Sequence, residues 1–180
     1  MMSTTQRVAV VFAAQARRTG RIHMTRMMRH LELECRTREE AEEVADVVAS
    51  LLPDPLRGRL GVVELLLNAI EHGNLEIGKA LKCRLIRAQQ FTDEVAARLE
   101  REPYRSRRVH VRVAIEYPDI EIEIRDEGPG FAWRHALASD IEVDECPNGR
   151  GISLVSQTCF PGLTYRDPGN VAIIKVTWPR

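Results

Sequence analysis

The chain of 180 residues has no apolar run longer than Val8 to Ala14, far short of the roughly 20 residues that a membrane-spanning helix needs. It has no net charge either, because 26 Lys and Arg balance 26 Asp and Glu. Bulk electrostatics therefore gives no reason to expect direct nucleic-acid binding. Its four cysteines, Cys35, Cys83, Cys146 and Cys159, form no C-x-x-C and no Cys/His pair at zinc spacing. That excludes a zinc module and a disulfide scaffold, and predicts free thiols in a reducing, cytoplasmic setting. The sequence also lacks an internal repeat, a low-complexity tract, a Walker A loop and the Rossmann G-x-G-x-x-G.

What is present is the composition of a folded globular chain, 44% hydrophobic and 29% charged. The length suits one large domain, or a core of about 130 to 150 residues with an extension and an insertion. Arg7, the apolar run and Ala14-Gln15-Ala16 outline a secretory signal, but at the minimum length for one. Residues 1–27 read instead as an N-terminal extension, or in part as sequence upstream of a start at Met24 or Met27. The domain proper then spans 28–180, with an insertion at 76–104.

Leu31, Leu33 and Cys35 alternate with charged residues, which predicts a strand over about 29–36. Thr37 with Glu40 forms a capping-box signature ahead of the apolar face Ala41, Val44, Ala45, Val48 and Leu51, so a helix is expected to Leu52. Pro55 opens a second helix that should stop at Gly73. The insertion is helical in pattern and basic: between Lys79 and Arg108 there are nine Lys or Arg against four Asp or Glu. A solvated face and a docking surface for an acidic partner are both open readings of it. Val109 to Ile115 and Ile120 to Ile124 alternate around Tyr117-Pro118-Asp119 and predict an antiparallel hairpin. A helix over about 150–159 and strands at 163–166 and 171–178 complete the chain. The sum is an α/β (α+β) two-layer sandwich, with a mixed, mainly antiparallel sheet covered by helices on one face.

Three stretches break these patterns. Glu64, Asn68 and His72 recur every four residues along an otherwise apolar helix, so this polar stripe faces either solvent or a polar cavity. Asp126-Glu127-Gly128-Pro129-Gly130 follows a strand directly, where glycines permit positive φ and close approach of a ligand to the main chain, or make a plain turn. Asn148-Gly149-Arg150-Gly151 opens a helix, and such a start is an anion site or merely a helix entry.

Taken in order, Glu64 to Asn74 (E-L-L-L-N-A-I-E-H-G-N), Arg125 to Phe131 (R-D-E-G-P-G-F) and Asn148 to Ile152 (N-G-R-G-I) resemble the N, G1 and G2 boxes of the GHKL (Bergerat-fold) ATPase superfamily. The H-G after the N box and the G-R-G-I form are similar to the branch of anti-sigma-factor serine/threonine kinases, with its histidine-kinase-like ATPase domain. The resemblance covers roughly Leu31 to Trp178. It implies ATP and Mg²⁺ as cofactors, Glu64 as general base, and Asn68 as the Mg²⁺ ligand. It further implies Asp126 as acceptor for the adenine amino group, with Gly128 and Gly130 letting base and ribose approach. Gly149, Arg150 and Gly151 would close on the phosphates, and residues 132–147 would form the ATP lid. For His72 two roles stay open, nucleotide or metal contact and simple packing or capping.

The implied activity is that of an ATP- and Mg²⁺-dependent protein serine/threonine kinase in transcription regulation. Its implied partners are a STAS-type anti-sigma antagonist, a sigma factor, or both, and a homodimer by family analogy. The alternative is a non-catalytic ATP-binding module that sequesters a sigma factor or another regulator. A phosphoacceptor-histidine kinase would need a dimerisation helix, and His23 and His30 sit in no long helical pattern. An ATPase performing large conformational work would need a transducer domain, for which there is no length. Two departures from the family pattern stand out, the long insertion and Ser153 where many members carry glycine.

Overall fold

The computed structural model describes residues 29–138 and 151–179. The expected extension at 1–27, most of the expected lid, Cys146, Gly149 and Arg150 lie outside the described residues. Strands β1 (His30–Cys35), β2 (Val109–Glu116), β3 (Asp119–Arg125), β4 (Thr164–Arg166) and β5 (Val171–Thr177) form one sheet in the order β1-β2-β3-β5-β4. All four pairings are antiparallel. Side chains of a strand point alternately to the two faces. Hence Val111, Val113 and Ile115 lie opposite Ile124, Ile122 and Ile120 on one face and are buried there. Glu32, Arg112 and Glu123 align across three strands on the other face, where Arg166 reaches Glu123 at 2.9 Å. One face is apolar and covered, the other charged.

The cover is made by α1 (Arg38–Ala49) and α2 (Pro55–Asn68). Ala41, Val44, Ala45 and Val48 of α1 and Val62, Leu65 and Leu66 of α2 join the inward strand residues in one core. Fully burying a leucine such as Leu66 contributes about 1.5–3 kcal/mol. The capping box forms as the sequence indicates: Glu40 N donates to Thr37 Oγ1 at 3.3 Å and Thr37 N to Glu40 Oε2 at 3.2 Å. The α1 helix ends at Ala49, short of Leu52, because the amides of Leu51 and Leu52 turn back to the carbonyls of Val48 and Ala49. Past Asn68 the second helix does not run as α-helix to Gly73; residues Ala69–Asn74 form a π-helical turn.

The insertion is helical, with α3 (Lys79–Arg87) and α4 (Phe91–Leu99), and leans on the core through Leu81, Leu85, Phe91, Val95 and Leu99. Cations of the insertion and of the segment that leaves it turn inward. Lys82 pairs with Glu71, Arg98 donates to the Leu75 carbonyl at 2.6 Å, and Arg107 donates to the Asn74 carbonyl at 2.8 Å. The helices α5 (Trp133–Ala138) and α6 (Gly151–Thr158) complete the set; α5 falls where the sequence shows little periodicity.

Cys35 and Cys159 are free, and burial pushes the Cys35 thiol up to about 12, with the Glu40 charge adding to the shift. Cys83 is disulfide-bonded, which corrects the expectation of four free thiols. Bonding is decided by proximity in the fold, and spacing along the chain does not carry that information. Among the described residues no helix is long and apolar enough to cross a membrane.

Two glycines test the packing. A Cβ at Gly61 would stand 2.8 Å from Cys159 Cβ and 2.9 Å from Phe160 Cδ2, whereas one at Gly78 meets nothing within 4 Å. Gly61→Ala should lower stability by about 1–3 kcal/mol. Gly78→Ala should stay within about 0.5 kcal/mol of wild type. Urea unfolding midpoints of the two variants check this.

Candidate functional site

Glu64 and Asn68 lie half-buried on one face of α2, as their four-residue spacing dictates, and His72, also half-buried, follows inside the π-turn. Asn68 Nδ2 donates to Glu64 Oε1 at 3.4 Å, which turns the other end of the amide, its Oδ1, away from that bond. His72 Nδ1 lies 2.5 Å from the Ile77 carbonyl. A carbonyl only accepts, so Nδ1 carries the hydrogen and Nε2 the lone pair. Burial lowers the His72 pKa from its ordinary value, overriding the Ile77 bond that raises it. The ring closes the end of the π-turn through Nδ1 and keeps a lone pair on Nε2, so both roles expected for it stay open.

The turn brings Gly73 against the Asp126 carboxyl group. A Cβ at Gly73 would be 2.8 Å from Asp126 Oδ2 and nearer still to the other carboxyl atoms. Gly128 packs against Gly73 in turn, where a Cβ would lie 2.6 Å from the Gly73 carbonyl carbon. Gly130 takes φ +80, the left-handed region, and bends the loop onto the Pro168 carbonyl. Asp126 is only 9% exposed, and Gly128 N donates to its Oδ1 at 2.8 Å. Burial raises its pKa to about 6, although the backbone N–H groups of Gly128 and Asp126 and the charge of Arg107 pull it down. Asn170 fixes the main chain here: Asp126 N donates to its carbonyl and its Nδ2 donates to the Asp126 carbonyl, both at 3.0 Å. Below the loop, Tyr165 meets Phe131 edge-on at 5.1 Å and Trp133 at 6.2 Å. Burial, and then the Asp126 charge, raise the Tyr165 pKa.

The third segment arrives from the other side. Gly151 is the first residue of α6, and a Cβ there would lie 2.8 Å from Glu64 Cδ and collide with its carboxyl oxygen. The Glu64 carboxylate thereby faces the positive end of the α6 dipole. Of the residues singled out in the sequence, Glu64, Asn68 and Gly151 gather at one place and Gly73, Asp126 and Gly128 at another, joined by the π-turn. Gly130 serves the loop itself.

Three further residues hold this together, two of them, Glu71 and Asn74, inside the first motif but without an assigned role there. Glu71 is 4% exposed and pairs with Arg38 and Lys82. Asn74 is 3% exposed; its Oδ1 accepts from Glu127 N at 2.7 Å and its Nδ2 has no partner. Asn170 is the third. The available signal is that Glu71 and Asn74 interrupt the apolar positions Ile70, Leu75 and Ile77, where a polar side chain must find partners. Among the described residues no cluster of three His, Cys, Asp or Glu side chains could hold a metal ion. Neither a family model nor a curated protein matches the chain.

The raised Asp126 pKa has a sign that can be measured. The folded state binds the proton more tightly than the unfolded chain, so the stabilisation from the neutral acid is complete below about pH 4 and lost as pH rises through about 6. Asp126→Asn stays neutral, so it should match wild type near pH 4 and exceed it by about 2–3 kcal/mol above pH 7. Chemical unfolding across that pH range reads the difference.

Proposed function

We propose that this chain is an ATP- and Mg²⁺-dependent protein serine/threonine kinase of the GHKL anti-sigma type. It acts in a cytoplasmic partner-switching circuit on a STAS-type anti-sigma antagonist. The support is the meeting of three segments that lie far apart in sequence: Gly73 seats the Asp126 carboxyl, and Gly151 seats the Glu64 carboxylate at the start of α6. A polar stripe that merely faced solvent would have no reason to be roofed by a glycine at a helix start.

The residues fit the cofactors that this reading requires. Asp126 presents a buried carboxyl with one oxygen on Gly128 N, leaving the other to accept from an exocyclic amine. Asn68 offers a neutral amide oxygen, a suitable hard ligand for Mg²⁺ whose other ligands come from phosphate and water. When bound, MgATP supplies the γ-phosphoryl group and the charge neutralisation that its transfer needs. Glu64 orients and deprotonates the attacking hydroxyl. The start of α6 offers N–H groups to phosphate. Asn170 and Gly73 hold Asp126 in place.

Titration calorimetry with ATP, in Mg²⁺ and in EDTA, should show Mg²⁺-dependent binding that Asp126→Asn weakens about 10- to 100-fold, the loss of one hydrogen bond to a charged group. Since the same substitution is expected to stabilise the fold, weaker binding could not be ascribed to unfolding. Transfer of γ-phosphate to STAS-domain proteins should fall about 10²- to 10⁴-fold in Glu64→Ala with ATP affinity little changed. Binding without transfer by wild type would favour the sequestering module, and no heat at millimolar ATP would sink the nucleotide reading.

A further inference from the structure

We infer that Glu71 is a positioning residue for this site and that the helical insertion holds it through Lys82, an inference that rests on the nucleotide reading above. Glu71 is the most deeply buried acid among the described residues, at 4% exposed. Its Oε1 meets Arg38 Nη2 at 3.2 Å, and its Oε2 meets Lys82 Nζ at 2.5 Å. Arg38 is the first residue of α1 and Lys82 lies in α3, so the carboxylate is gripped from both sides of the turn. The ammonium is itself seated, 5.4 Å from the centre of the Phe91 ring and with its side chain only 17% exposed. A buried ion pair is a poor way to gain stability compared with apolar side chains of the same size, and its better-attested use is to fix one geometry among competing ones.

The geometry that competes with a π-turn is the ordinary α-helical turn. The π-turn is one residue wider than an α-turn, with Leu75 N donating to the Ile70 carbonyl. Relaxing it to α-helix would rotate the residues beyond it by roughly 100° about the axis. Gly73 would then leave Asp126, and Asn74 would leave Glu127 N. Glu71 stands in the middle of this turn, and its carbonyl accepts from Ile77 N at 2.8 Å. Its side-chain grip thus keeps Glu64 and Asn68, on the α-helical side, in register with Asp126 on the far side. The insertion supplies one of the two cations that do this.

The test uses Lys82→Met, which keeps the stem over Phe91 and removes the charge, with Lys82→Arg as the rescue. Two readouts are taken: hydrogen exchange at the Ile77 amide, and calorimetric affinity for ATP in Mg²⁺ and in EDTA. Lys82→Met should speed Ile77 exchange and raise the MgATP dissociation constant, each by about tenfold, with Lys82→Arg returning both to within about threefold of wild type. Should Lys82→Met not fold, Glu71→Gln carries the same expectations. Unchanged exchange and affinity would overturn the inference. So would a uniform speeding of all core amides, which marks a structural role alone. If wild-type protein binds no MgATP, the nucleotide reading fails by itself, and Ile77 exchange still decides whether Lys82 holds the turn.

Discussion

The site depends on one approach of main chain to main chain, between Gly73 at the end of the π-turn and the Asp126–Gly128 loop. A side chain at either glycine would drive the two segments apart. Where they touch, the Asp126 carboxyl is shut off from water, and the Asn74 amide oxygen accepts from Glu127 N beside it. The widened turn is what delivers residue 73 to this contact. Everything that surrounds it, from the Arg107 and Arg98 bonds to the carbonyls of residues 74 and 75 to the Asn170 clamp, secures the two sides of that meeting.

Two buried carboxylates share the neighbourhood and are treated in opposite ways. Glu71 has two cations in contact and is fully compensated. Asp126 has backbone amides and a more distant Arg107, too little to offset its burial, so its pKa rises. An under-compensated buried acid of this kind is a candidate binding residue, as the proposed function uses it. Fold and site thus divide the labour between neighbouring acids.

Much of this is legible in the residue pattern. The alternation of Val109 to Ile115 and Ile120 to Ile124 specifies the hairpin and its buried face, and Thr37 with Glu40 specifies a cap that forms as written. The polar stripe on α2 and the glycines after β3 mark the places where the segments meet. The π-turn is not legible, because six residues of π-helix are too few to leave a period, and Gly73 reads as an ordinary helix stop. The inward cations of the insertion and of the segment that leaves it are hidden for another reason. Arg107 reaches Asn74 across 33 positions in the chain, and local composition makes it look like one more solvated charge. The helix Trp133–Ala138 is too short to show periodicity, and the bonding of Cys83 depends on tertiary proximity alone.

Under the proposed function, the under-compensated Asp126 would tie ligand binding to the solvent proton. A carboxyl that titrates near pH 6 is about half protonated there. Any ligand that donates a hydrogen bond to it selects the ionised form and expels the proton to buffer. Near that pH, therefore, each binding event releases up to about half a proton from this group, and the apparent heat of binding follows the ionisation enthalpy of the buffer chosen. At pH 8 that dependence on buffer vanishes for Asp126. The difference between titrations in phosphate and in Tris reads the net protons released on binding, and the part of it that Asp126→Asn removes belongs to this carboxyl group.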